Sequence, residues 1–216
     1  RALEICEKAF GSDHPNVAKI LNGLAGIYKA RGEYTEAEPL FKRALEISEK
    51  TLGPDHLNIA QIRNNLASLY FSQGKYSDVE PIYERTFPIL EKILGMDHPD
   101  IAQSLNNLGE LKRIQGKYAE AEPLYKRALE IDEKILGKDH PYIAEYLNNL
   151  AEFFLDQGEY SKAEPLYKRA LEIDKEIFGK QHPSVARDLN NLADLYNAQG
   201  KYDYAETLYI RALEIN

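Results

Sequence analysis

Gly137-Lys138-Asp139-His140-Pro141-Tyr142-Ile143-Ala144-Glu145-Tyr146-Leu147-Asn148-Asn149-Leu150 decides how the chain is read. A glycine, a histidine three places on and a proline interrupt the chain. Directly after them apolar residues recur at threes and fours, the spacing of one helix face. The same interruption stands at Gly11, Gly53, Gly95, Gly137 and Gly179, 42 residues apart, followed by His14, His56, His98, His140 and His182. A second set, Gly32, Gly74, Gly116, Gly158 and Gly200, precedes Tyr34, Tyr76, Tyr118, Tyr160 and Tyr202 by two places. Two breaks per period give two helices per repeat, and a fixed period of this length reads as a stacked array.

The expected organisation is one continuous solenoid. A remnant second helix of a preceding repeat covers 1–10, full repeats cover 11–52, 53–94, 95–136 and 137–178, and a truncated fifth covers 179–216. The helix-like runs at Arg1 and just before Asn216 read as cuts through repeats, so a longer parent protein is expected.

In the first helix, Val17, Ala18, Leu21, Leu24, Ala25, Ile27 and Tyr28 form the apolar stripe. Pro15, Pro99, Pro141 and Pro183 fall in the first turn, where a missing N–H costs little, and Asp13, Asp97 and Asp139 are placed to cap it. A capping box then opens the second helix: Thr35 with Glu38, Ser77 with Glu80, Ser161 with Glu164, and Asp203 with Glu206. Ala37, Leu40, Phe41, Ala44, Leu45 and Ile47 form its stripe, ending at Leu52 and Gly53. Gly109 replaces a recurrent alanine and permits close approach of neighbouring elements. Arg63 and Lys112 occupy core positions and are expected either to snorkel toward the polar face or to mark decay of the repeat. Pro88, inside a second helix, is expected to bend it.

The chain has 216 residues with 44% hydrophobic and 29% charged, and no apolar run long enough to span a bilayer, so a membrane location is not expected. A net charge of -8 disfavours a nucleic-acid partner. The single Cys6 cannot form an internal disulfide, and a cytoplasmic, reducing setting is expected. Its counterparts Ser48, Leu90, Asp132, Asp174 and Asn216 vary, which suggests an exposed position. No cofactor, metal or catalytic residue is expected. The histidines stand in separate repeats at least about 8–10 Å apart, whereas zinc takes nitrogen at about 2 Å. No phosphate-binding loop is present, and nothing near Cys6 resembles an activating dyad.

The run Leu189-Asn190-Asn191-Leu192-Ala193-Asp194-Leu195-Tyr196, then Gly200-Lys201-Tyr202, Ala205-Glu206, Tyr209 and Ala212, resembles the tetratricopeptide repeat. The 42-residue period and the Gly-x-Asp-His-Pro connector resemble its kinesin light chain branch, over essentially the whole chain. The resemblance implies an all-α fold, a right-handed α-α superhelix of helical hairpins whose first helices line a concave groove for extended peptides. Eight residues beyond the usual 34 add about two turns to the second helix if all are helical.

A helical wheel sets positions 19, 22, 23, 26, 29 and 30 away from the apolar arc of the first helix. The most regular members of this face are Asn22, Asn64, Asn106, Asn148 and Asn190, with Asn65, Asn107, Asn149 and Asn191 beside them. Asparagine is a poor helix-interior residue, so its recurrence has a cause. Either the amides bond the adjacent hairpin or descend from a duplicated ancestor, or they hold the backbone of a bound peptide, as the resemblance implies for the first of each pair. Variable positions carry the specificity: Lys19, Lys29, Gln61, Phe71, Gln103 and Arg113 early, Glu145, Glu152, Asp156 and Asp194 late, with Glu110 and Arg187 against the trend. The expected ligand has an acidic segment toward Lys19, Lys29 and Arg113, an apolar side chain near Phe71, and a basic segment toward Glu152 and Asp194. The function expected is a protein-interaction scaffold. The alternatives are a structural solenoid that stacks end to end, with Leu208, Leu213 and Ile215 exposed, and the sensor arm of a larger signalling protein.

Overall fold

The computed structural model describes residues 2–215; Arg1 and Asn216, where the sequence suggested cuts, lie outside the described residues. Eleven helices and no strand occur among the described residues: α1 (Ala2–Phe10), α2 (Pro15–Ala30), α3 (Tyr34–Leu52), α4 (Leu57–Ser72), α5 (Tyr76–Leu94), α6 (Pro99–Ile114), α7 (Tyr118–Leu136), α8 (Pro141–Asp156), α9 (Tyr160–Phe178), α10 (Pro183–Ala198) and α11 (Tyr202–Leu213). They form two compact units, Arg1–Met96 and Asp97–Asn216. Within each, consecutive helices pair as hairpins, α2 with α3 and α4 with α5 in the first, α6 with α7, α8 with α9 and α10 with α11 in the second. Within a unit each hairpin stacks on the next through its second helix, and the first helices of stacked hairpins also touch.

The amphipathic stripes supply the cores. Cys6, Val17, Leu21, Ala44, Ile47 and Ile62 pack together in the N-terminal unit. Tyr125, Leu150, Phe153, Tyr167, Val185, Leu189 and Leu195 do so in the C-terminal unit. Burying each large side chain contributes about 1.5–3 kcal/mol, which is what holds hairpins that are too thin to have a core alone. Ile27 departs from its stripe: it is 57% exposed, whereas Leu69, Leu111, Phe153 and Leu195 at the same place are buried. Gly109 makes the close approach expected of it, since a Cβ there would lie 3.1 Å from the Tyr125 ring.

Helix boundaries follow the glycines, all ten of which at the breaks have positive φ. The caps differ from expectation. His14, His56, His98, His140 and His182, not the aspartates before them, are the N-caps of the first helices, each accepting through Nδ1 from the backbone N–H two residues on. The imidazole lone pair thus does what a serine or aspartate oxygen usually does. Asp13 and Asp97 instead pair with Lys50 and Lys134, near the C-terminal ends of the adjoining second helices, as Asp55 does with Lys92 at 2.6 Å. The capping boxes do not form either. The second helices start two residues earlier than the box requires, at Tyr34 and its counterparts, and their N-caps make no side-chain bond. Glu38 turns to Lys42, Lys75 and the Tyr70 hydroxyl. Glu164 turns likewise to Lys168 and Tyr196.

Prolines the periodicity passes over, Pro39, Pro81, Pro123 and Pro165, stand inside the second helices, where each leaves the carbonyl four residues back without its helical donor. In the fifth hairpin Thr207 takes that place, and its hydroxyl donates to the same carbonyl, that of Asp203, at 2.9 Å. Pro88 is exposed within α5, which runs unbroken from Tyr76 to Leu94.

Candidate functional site

The variable face of the first helices holds two clefts at equivalent positions, one in each unit. In the N-terminal unit a cleft of about 270 Å³ lies between α2 and α4, walled by Lys19, Asn22, Asn58 and Gln61 and floored by Ser48 of α3. In the C-terminal unit one of about 110 Å³ lies between α6 and α8, walled by Asp100, Gln103, Tyr142, Glu145 and Tyr146 and floored by Asp132 of α7. Gln103 and Glu145 are the counterparts of Lys19 and Gln61, and Asp132 is that of Ser48. The floor position is the one that holds Cys6 in α1. It is buried in the described repeats, against the expectation of exposure: Cys6, Ser48, Leu90, Asp132 and Asp174 are all buried, Cys6 the least completely. Side chains from two stacked first helices close over it, and no periodicity within one helix reveals that.

Two asparagine pairs bridge stacked hairpins. The Asn65 amide donates to the Asn22 carbonyl at 3.0 Å, and Asn149 donates to Asn106 at 3.2 Å, so there the second member of a pair serves the first member of the hairpin before it. Asn106 and Asn148 are buried, and Asn148 donates to Asp188 at 2.8 Å. Asn22, Asn64 and Asn190 remain half-buried on the variable face.

Lys19, Gln61, Gln103, Glu145, Glu152, Asp156, Arg187 and Asp194 are exposed, and Lys29, Phe71, Glu110 and Arg113 are half-buried. Lys29 donates to Ser68 of the next hairpin, and burial holds its ammonium below the ordinary lysine range. Arg113 is not free. It bonds Glu110 at 2.7 Å, Glu152 at 3.0 Å and Asp156, while the Tyr125 hydroxyl donates to Glu110 at 2.7 Å. Burial opposes ionisation of Glu110, but the bonds from Arg113 and Tyr125 prevail and hold its carboxyl below the usual range. Glu152 is pushed up, chiefly by burial, with Arg113 opposing. Arg187 spans two buried carboxylates, Asp174 and Asp188, at 3.2 Å each. Burial first, and the neighbouring Asp174 among the further causes, pushes Asp188 up to about 6 despite that guanidinium.

Arg63 and Lys112 do not reach this face. Arg63 bonds Glu49 of α3 at 2.7 Å and the Arg85 carbonyl of α5, and Lys112 bonds Glu120 of α7 at 2.8 Å. Partners on the second helices are nearer than the variable face, so both charges are satisfied on the opposite side. Among the described residues no helix is long and apolar enough to cross a membrane.

Two family models described as tetratricopeptide repeat match the chain, one over residues 16–92, 100–176 and 142–216 and the other over 1–16. With the stacked hairpins and the 42-residue period, these matches show that the chain belongs to the tetratricopeptide repeat family. Its architecture is that of a protein-interaction scaffold. A kinesin light chain-like protein of Podosopora anserina with nearly identical TPR-like repeats is 26% identical, with 94% of this chain and 96% of that one covered and a TM-score of 0.74. BtubC (BKLC) from P. vanneervenii is 24% identical over 99% of this chain and 85% of that one, with a TM-score of 0.80. The apo form of RapI is 17% identical over 99% and 89%, with a TM-score of 0.71. The last two likenesses are of fold. No curated protein matches the chain.

Proposed function

We propose that the variable face of the first helices binds an extended peptide or protein segment, with an acidic stretch against the N-terminal unit and a basic stretch against the C-terminal unit. The observation that most supports this reading is that both clefts open on that face at the same repeat positions. Their walls carry Lys19 in one unit and Asp100 and Glu145 in the other. A constant frame with variable walls is what sequence-selective binding of an extended chain requires. The asparagine pairs fit a divided role: Asn22 spends its carbonyl on the neighbouring hairpin, which leaves its NH2 group as a donor to a ligand carbonyl. Engagement of Arg113 by three carboxylates narrows the acidic-segment contacts to Lys19 and Lys29.

An array of acidic, basic and aromatic-acidic extended peptides, probed at two salt concentrations, tests the reading. Salt-sensitive binding of acidic peptides, weakened about tenfold by Lys19→Glu with Lys29→Glu, is the expected result. Absence of binding to any peptide, with mass that grows with concentration in sedimentation, would replace it with the end-to-end stacking scaffold.

A further inference from the structure

The buried floor position of the C-terminal unit occurs twice with aspartate, once met by a cation and once not. In the layer between α8 and α10, Asp174 of α9 is met by the Arg187 guanidinium at 3.2 Å. One layer earlier the floor is Asp132, and the residue corresponding to Arg187 is Glu145. Asp132 is fully buried, and no cation bonds its carboxylate, whose polar neighbour is the Tyr146 hydroxyl. The Tyr146 hydroxyl is nearby, and the Asp132 charge, after burial, contributes to holding that phenol above its ordinary range. A buried carboxylate without a counter-charge is costly, and this chain answers that cost in the next layer with a cation from the following first helix. Here nothing internal plays that part, and the cleft stands open.

We propose that the cleft over Asp132 is a subsite for a basic side chain of the bound segment, whose cation takes the place that Arg187 fills one layer on. This rests on the peptide-binding reading above and deepens it. The surroundings suit a cation: Asp100 and Glu145 add negative charge at the walls, and the Tyr142 and Tyr146 rings offer π faces. The volume of about 110 Å³ is below the roughly 150 Å³ that holds a benzene molecule, and so admits an ammonium or guanidinium tip rather than an aromatic ring. A metal ion is not the better occupant, because no three His, Cys, Asp or Glu side chains among the described residues are arranged to hold one. The equivalent cleft of the N-terminal unit, with Ser48 below and Lys19 beside it, lacks this chemistry.

The test uses the whole chain and two probes. n-Butylammonium chloride, titrated against the ¹⁵N-labelled protein, is expected to shift the amide resonances of Gln103, Asp132 and Tyr146 saturably. Asp132→Asn should weaken that binding about tenfold. Glu145→Arg, which supplies the internal guanidinium, should abolish it while raising the melting temperature. The second probe is a set of about nine-residue labelled peptides that differ only in a central lysine, arginine or norleucine. Preference for the basic peptides that disappears in both variants supports the subsite. Peptide binding indifferent to the central residue and to Asp132→Asn overturns the subsite and leaves the groove standing. Butylammonium binding with no peptide bound upholds the cation site and removes the groove reading. No butylammonium shift, or equal shifts in wild type and Glu145→Arg, overturns the subsite outright.

Discussion

The two clefts sit at the same repeat positions on the same kind of frame, yet one is floored by Ser48 and flanked by Lys19, the other floored by Asp132 and flanked by Glu145. What separates them is a handful of side chains: Lys19, Ser48, Asn58, Gln61 and Ile62 of one correspond to Gln103, Asp132, Tyr142, Glu145 and Tyr146 of the other, drawn from two first helices and the second helix beneath. Backbone geometry is held by glycines, histidine caps and small residues that recur, so chemistry can change at these positions without moving the frame. The difference teaches that in such an array the frame and the chemistry of its clefts reside in separate sets of residues.

The largest expected effect concerns the frame. Tyr125 is 1% exposed and supports both the core and Glu110 of the C-terminal unit, so Tyr125→Ala should lower stability to urea by about 3–5 kcal/mol. Tyr125→Phe, which keeps the ring, should cost about 1 kcal/mol and loosen only the Arg113 network. Equal losses from the two variants would mean the hydroxyl, not packing, holds the unit.

Acidity divides the units next. Asp188 in the C-terminal unit has a raised pKa of about 6, so the folded state binds its proton more tightly than the unfolded chain does. Its contribution is therefore most favourable below the unfolded value near 4 and is lost as pH rises through about 6. Glu38 in the N-terminal unit behaves oppositely: bonds from Lys42 and Lys75 hold it at about 2, so its contribution is present above about 4.5 and lost as pH falls through 2. Asp188→Asn should flatten the decline in melting temperature between pH 4 and pH 6 and leave the acid limb unchanged. An unaltered slope in that window would assign the decline to other groups.

A conversion sharpens the contrast further. Ser48→Asp with Gln61→Glu builds the acidic cleft into the N-terminal unit, and should shift its preference toward lysine-bearing peptides by about tenfold in an anisotropy titration. Retained preference for acidic peptides would show that Lys19 dominates whatever lies beneath it. Smallest is the cap. His56→Ala removes the acceptor for the Asn58 N–H and should cost about 0.5–2 kcal/mol, read as a lower denaturation midpoint with unchanged slope. No change would mean that water replaces the imidazole.

Much of the frame was legible because its signals are short-range. Pro15 and Gly32 act through their own dihedral angles, and Val17, Leu21 and Ala25 mark a face by spacing alone. The candidate site was legible only as a face. That Lys19 and Glu145 are exposed follows from the wheel, but the engagement of Arg113 by Asp156, 43 residues away, does not. Asp13 offered good cap chemistry, yet His14 is one residue nearer to the helix and Lys50 lies within reach of the aspartate.

The sequence by itself determined an all-helical array of paired helices, its period, its breaks and the residues that vary along one face, because these depend on neighbours within a few positions. Only the tertiary structure decided which groups cap the helices, which asparagines are spent between hairpins, and that Asp132 is buried without a counter-charge. Apart from the histidine caps, which bond only two residues on, those outcomes depend on side chains about 13 to 43 residues apart in the chain meeting across stacked hairpins, where burial and distance, not residue type, set the result.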